Sequence, residues 1–421
     1  MQKKWYRLDT AALIFPAISR RDWCNVFRVS ATLEEDVNPE TLQQAVDDTQ
    51  GRFPSFFVRL KRGFFWYYLE EIEQTPRVRE DYAYPLTYMS RKELRTNCMR
   101  VLYYRNRIAV ECFHSITDGR GAVTYLCNLT ARYLELEKGC RIPTGGLIRD
   151  LSEKPPAEEL EDSFLRNAAE VAAGRKEEWA YHPRGTPEPE GFRRLITGVL
   201  DSGELRETAH AWGVSVTSLL AGVLAGSILE LQARERPHRK RRRPVKITIP
   251  VDLRRLYGSR TLRNFSLVLN LGADPRYGDY TARELSQTID HQLKAFATPQ
   301  RMAGMIAANV QPQQSKALRL APVGLKNLVM DLIYARTGES GGSINLSNLG
   351  VISLPEEMAG EVERLEFIIG PQRSYANNCA VISCGGKTCI NMIRNIRESE
   401  LERLFFSSLV ELGLRVEIES N

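Results

Sequence analysis

The chain has 421 residues, of which 43% are hydrophobic and 26% charged, which excludes an intrinsically disordered protein and gives material for two folded cores. Its 58 basic and 52 acidic residues leave a formal net charge of +6, well short of a dedicated nucleic-acid binder and compatible with a neutral or anionic small ligand. Lys3 and Lys4 are followed by Trp5, Tyr6, Arg7 and Asp9 rather than an apolar run, so no secretory signal is expected and the cytoplasm is the expected compartment. Eight cysteines in such a chain read as reduced thiols. With no Cys-x-x-Cys pair and no histidine near Cys379, Cys384 and Cys389 in sequence, neither a metal site nor a permanently bound cofactor is expected.

The first predicted strand alternates Phe27, Val29, Ala31 and Leu33 with Arg28, Ser30 and Thr32. Asn38-Pro39 then supplies a cap and a first-turn proline for a helix through Leu42, Ala45 and Val46. Residues 56–60 and 64–69 predict a hairpin around Lys61-Arg62-Gly63, with Trp66 and Tyr68 in the core or on a sheet face. A second hairpin, 99–104 and 108–114, turns at Arg105-Asn106-Arg107 and puts Ile108, Val110, Cys112 and His114 on one face. The spacing of Ala122, Tyr125, Leu126, Leu129 and Tyr133 predicts a helix over 119–136.

From about 139 to 191 prolines, the Gly145-Gly146 pair and an acidic run from Glu158 to Asp162 mark a crossover. The predicted division is a first half over 1–150, a linker over 151–190 and a second half over 191–421. The second half reads as strand 195–200, helix 204–212, an apolar helix 214–231, strand 245–251 and helix 283–296. The apolar helix is broken by Gly222, Gly226 and Ser227 and is short for a bilayer, so it predicts a buried helix rather than a transmembrane segment. Strands 343–347, 364–369, 380–384 and 389–394 follow, with a Gly385-Gly386 turn between the last two, then a helix over 399–412. Both halves mix α and β elements in a similar order, which predicts two like-folded domains.

The chemistry concentrates at His114-Ser115-Ile116-Thr117-Asp118-Gly119, where a strand stops and a helix begins. A histidine among apolar groups stays neutral, the form that takes a proton from an attacking hydroxyl or amine. The alternative is a core histidine, followed by Asp118 as helix cap and Gly119 easing the turn. The basic run from Arg234 to Lys246 reads either as a solvated loop or as a patch facing phosphate or a carrier protein.

His114-x-x-x-Asp118-Gly119 resembles the active-site motif of the acyl-CoA-dependent acyltransferase superfamily, which includes chloramphenicol acetyltransferase, alcohol O-acetyltransferases, wax ester synthases and condensation domains. Residues 249–254, with Pro250-Val251-Asp252-Leu253-Arg254, and residues 262–265 resemble the strand motif of the two-domain members. Ser347-Asn348-Leu349-Gly350 resembles the Ser-Asn-Leu-Gly segment of single-domain acyltransferases and alcohol acetyltransferases. The first of two adjacent histidines common in the family is Phe113 here, and the Asp-Phe-Gly-Trp-Gly segment of plant members is absent.

The resemblance implies two chloramphenicol acetyltransferase-like α/β domains that form a pseudodimer around one channel, in which a monomer suffices. It implies acyl-CoA as co-substrate, a small-molecule alcohol or amine as acceptor, and His114 as general base. Asp118 would pair with Arg254 in a structural role, and Gly119 would leave room beside the channel. Ser347 and Asn348 would be oxyanion or substrate donors, and Asn264 part of the tunnel wall. A condensation-like enzyme fed by a carrier protein, and a non-catalytic scaffold on the same fold, are the alternatives; no nucleic acid is expected.

Overall fold

The computed structural model describes residues 4–21, 23–174 and 177–421. Two hydrophobic cores form, one around the helix Gly119–Lys138 and one around the helix Val216–Glu235. The latter is long and apolar enough to cross a membrane, yet Leu219, Leu220, Val223, Leu224 and Ile228 pack into the second core. Gly222 has a packing reason: a Cβ there would meet Ser286 in the helix Ala282–Phe296.

Three sheets organise the described residues. The first half contributes Val26–Leu33, Arg107–Phe113, Met99–Tyr104 and the short Arg79–Glu80 to a five-stranded sheet. Its fifth strand comes from the other half of the sequence: Val362–Ile369 pairs antiparallel with Val26–Leu33, setting Ile369 opposite Phe27 and Phe367 opposite Val29. The expected split at 151–190 is therefore not a split between sheets. The predicted strand is present, but its alternation fixes only which side chains share a face; its partner sheet is chosen by tertiary packing.

The second half builds a seven-stranded sheet, in the order Ser266–Ala273, Val245–Asp252, Ile344–Ile352, Asn377–Cys384, Lys387–Arg394, Arg194–Asp201 and Glu417–Ser420. Ile344–Ile352 runs parallel to both neighbours. The chain then leaves this sheet to add Val362–Ile369 to the other, and residues of both sheets line a cavity.

The linker is fastened to both halves. Glu159, in the acidic run of the crossover, is buried and accepts from Arg52 at 2.6 and 3.0 Å, while its carbonyl accepts from Leu262 N at 2.9 Å. Asp162 accepts from Thr10 N at 2.9 Å. The first hairpin also differs from expectation: its strands are Val58–Arg62 and Tyr67–Glu71, so the turn is Gly63 to Trp66 and the tip residues Phe64 and Phe65 are exposed. Tyr68 is on a sheet strand, one of its two expected places, and together with Trp66 of the turn it lines a surface cleft.

The basic run forms a compact loop at the end of Val245–Asp252 remote from the cavity, and Lys246 to Asp252 spans ~20 Å of strand. Arg234 pairs with Glu230 and Glu400, Arg239 with Asp279 at 2.7 Å, and Arg242 donates to the carbonyl of Arg236 at 3.0 Å. All eight cysteines are free thiols, seven of them buried.

Candidate active site

Arg107–Phe113 ends one residue before His114, whose backbone N–H donates to Asn25 O at 2.9 Å. The imidazole stacks on Phe15, with ring centroids 4.6 Å apart and planes 19° from parallel. Its other neighbour is Phe27, at 4.9 Å and 60°. The ring is half-buried: protein encloses it, and one edge opens on a cavity of about 300 Å³. Both halves line that cavity, with Phe27 and Gly119 from the first and Pro250, Ser347, Leu349 and Phe367 from the second. Burial pushes the imidazole below its usual pKa, against the opposing pull of the Asp118 carboxylate and Asn264. It is therefore neutral at neutral pH.

Asn264 settles which nitrogen carries the proton. Its Nδ2 donates to Asp9 Oδ2 at 3.0 Å and to the carbonyl of His114 at 3.0 Å, which leaves Oδ1 facing His114 Nδ1 at 2.9 Å. An amide oxygen can only accept, so Nδ1 is the protonated nitrogen and the lone pair of the neutral ring is on Nε2. Asp9 is itself fully buried; burial pushes its carboxyl up to about 6, opposed by Arg263 at 3.7 Å and by the Asn264 amide. Asn264 does line the cavity, but its amide is engaged in orienting the histidine.

Asp118 combines two roles. Its Oδ1 accepts from Gly121 N at 3.2 Å, capping Gly119–Lys138. The same carboxylate takes Arg254 Nη2 at 2.9 Å, Arg254 Nη1 at 3.0 Å and Phe265 N at 2.9 Å. The pair ties the start of this helix to the second half of the chain.

Gly119 sits against the cavity wall: a Cβ there would come 2.8 Å from Leu349 Cδ2 and 3.2 Å from Phe367 Cζ. Leu349 is aimed at this point by a kink in its strand. Gly350 has a φ of 75° and the ladder slips between Asn348 and Val351. Asn348 braces the kink, its Oδ1 accepting from Gly350 N at 2.8 Å and its Nδ2 donating to Thr217 Oγ1 at 3.0 Å. Its Oδ1 is committed to the turn, while its Nδ2 keeps a second N–H and, like Ser347, the residue lines the cavity.

The surface cleft lined by Trp66 and Tyr68, of about 790 Å³, lies across the wall formed by the N-terminal segment and the residues around Asn264. Leu8, Leu13 and Arg263 face it, whereas Ala11, Phe15 and Asn264 face the His114 cavity. Sequence patterning does not single out Asp9, Phe15 or Asn25. Asp9 finds its partner 255 residues away, and a lone acidic residue near the start of a chain carries no signal of such a contact.

No family model and no curated protein matches the sequence. Solved structures do match over nearly the whole chain. TRI101 of F. graminearum, complexed with coenzyme A and deoxynivalenol, is 12% identical with a TM-score of 0.63, covering 98% of this chain and 99% of that one. The trichothecene 15-O-acetyltransferase TRI3 of Fusarium sporotrichioides is 12% identical with a TM-score of 0.61, covering 98% and 94%. The condensation domain of the monacolin K polyketide synthase MokA is 11% identical with a TM-score of 0.55, covering 97% and 96%. With nearly the full length of both chains matched, the chain has the two-domain chloramphenicol acetyltransferase-like fold of the acyltransferases and condensation domains.

Proposed function

We propose that this protein is an acyltransferase that moves an acyl group from a coenzyme A thioester to an alcohol or amine, with His114 as general base. The observation that carries the reading is the Asn264–His114 bond, which holds a neutral imidazole with its lone pair on Nε2 beside a cavity built by both halves. Nε2 takes the proton of the acceptor as its oxygen or nitrogen attacks the thioester carbonyl. The tetrahedral oxyanion then collapses, the C–S bond breaks, and the imidazolium returns the proton to the leaving thiolate. The products are the ester or amide and free coenzyme A.

Ser347 and Asn348, which line the cavity, are the side-chain donors this reading assigns to the oxyanion. Base catalysis contributes ~10²–10⁴-fold, and holding two substrates on opposite sides of the histidine contributes much of the rest. Structures with this fold include a complex with coenzyme A, which supports the donor.

The test is release of coenzyme A thiol across a panel of acyl donors and of alcohol and amine acceptors. Turnover by the wild type, with His114→Ala lowering kcat by ~10²–10⁴-fold, is the expected result. No thiol release with any pair, or full activity in His114→Ala, contradicts it.

A further inference from the structure

We propose that the surface formed by residues 316–333 and the adjoining hairpin tip docks the protein on an anionic lipid bilayer. In the helix Val323–Ile333, Leu325, Leu328, Val329, Leu332 and Ile333 recur at the spacing of an apolar helical stripe. In a globular domain such a stripe faces the core. Here it faces outward: Leu325 is 54% exposed, Leu328 59%, Leu332 49% and Ile333 58%, whereas Lys326 of the same helix is only 3% exposed.

The helix is held to the protein by its polar residues. Lys326 Nζ donates to Phe65 O at 2.8 Å and lies 3.4 Å from the centroid of the Trp66 ring. Asn327 donates to the Tyr67 hydroxyl at 2.9 Å, and Asp331 accepts from Arg20 at 2.8 Å. An amphipathic helix docked with its polar side inward leaves its apolar side for another phase. The patch continues onto Leu320 and onto Phe64, whose carbonyl accepts from Val323 N at 2.9 Å. A contiguous apolar surface rimmed by polar residues marks an interaction site.

Charge selects the occupant. Lys316 and Arg319 on the preceding turn, Arg62 beside Gly324, and Arg20 and Arg373 beside Asp331 are exposed cations around the patch. Asp331 is the sole carboxylate in 316–333, and Arg20 and Arg373 both pair with it. A symmetric second copy would set these cations against their own equivalents. A bilayer with anionic headgroups accepts the leucine face among its acyl chains and the cations at its surface. Tyr334, which follows the helix, stacks on Trp23 at 4.9 Å, and both line the His114 cavity, so docking would bring that opening close to the bilayer. The docking proposal does not depend on the acyl-transfer reading.

The test is flotation of the full-length protein with vesicles of phosphatidylcholine alone and of phosphatidylcholine with phosphatidylglycerol, at low and high salt. The expected result is a bound fraction roughly tenfold higher on the phosphatidylglycerol vesicles, reduced by salt and lost in Leu325→Glu/Leu328→Glu. Melting curves establish that this variant is folded. Lys316→Glu/Arg319→Glu reads the same loss through charge while leaving the leucines intact. Equal flotation on both vesicle types, no flotation on either, or a wild-type dimer that Leu328→Glu converts to a monomer would overturn the proposal.

Discussion

The two faces of the five-stranded sheet treat charge in opposite ways. On the face that carries Arg28, Glu111 and Arg107, side chains of alternate residues form a buried ionic network. Arg28 bonds Asp81 at 2.6 Å and Glu111 at 2.8 Å, Arg100 bonds Glu111 at 3.0 Å, and Arg107 bonds Asp81 at 3.2 Å. On the opposite face, Phe27, Val110 and Cys112 lead to His114, a single titratable ring between two aromatic rings with one amide on Nδ1. Ions compensated by fixed partners stay ionised and support the scaffold. A lone imidazole in apolar surroundings stays neutral and retains a lone pair that can react. The same strand thus supplies scaffold on one side and chemistry on the other.

Glu111→Ala probes the ionic face with the largest expected effect. It leaves Arg28 and Arg100 short of a carboxylate and Leu86 N without an acceptor, so stability should fall by ~3–5 kcal/mol, read as a shift in urea midpoint. The protein that remains folded should keep its kcat, and a kcat loss at unchanged stability would break the comparison between faces.

Asp118→Ala tests the bridge between faces and halves, at about 3 kcal/mol, the lower end of the range for a buried pair. Arg254 keeps Asp252 at 2.9 Å and the Thr261 carbonyl at 2.7 Å, so its charge is not left alone. The same urea titration measures this loss, and a larger effect than that of Glu111→Ala would reverse the expected order.

Asn264→Ala sharpens the apolar face. It releases Nδ1 and should lower kcat about tenfold, the worth of about one hydrogen bond, with KM little changed. Asn264→Asp places a carboxylate beside the ring, which favours the imidazolium and should move the acid limb of the pH–rate profile upward. A purely structural asparagine would change the midpoint of unfolding without moving that limb.

The strand and helix that frame His114 are legible in the sequence because their periodicities, two and 3.6, each run uninterrupted to the motif. The Asp118–Arg254 contact is legible only through family resemblance, since nothing local to either residue signals the other. Asn264 is visible as a polar residue in a motif, but its role is fixed by where its amide nitrogen is held, by Asp9 and by a backbone carbonyl. The destination of Val362–Ile369 is invisible for the same reason: alternation specifies a face and is silent on the partner sheet. Val323–Ile333 has no assignment from the sequence, and in the structure its leucines face outward while Lys326 and Asn327 do the docking. The Ser266–Ala273 strand is likewise unassigned by patterning, at the outer edge of its sheet.

The central claim, a neutral His114 acting as base through Nε2, is tested most directly by the pH dependence of kcat/KM in the wild type, His114→Ala and Asp9→Asn. Because burial lowers the folded-state pKa of His114, the base is available above that pKa and lost as pH falls through it, so the acid limb should lie below 6.5. Asp9, a buried acid bonded to Asn264, is pushed up to about 6, so its variant separates the two titrations. The account predicts a limb that persists in Asp9→Asn and is absent from the residual activity of His114→Ala. A limb that survives in His114→Ala, or that disappears with Asp9→Asn alone, would contradict it.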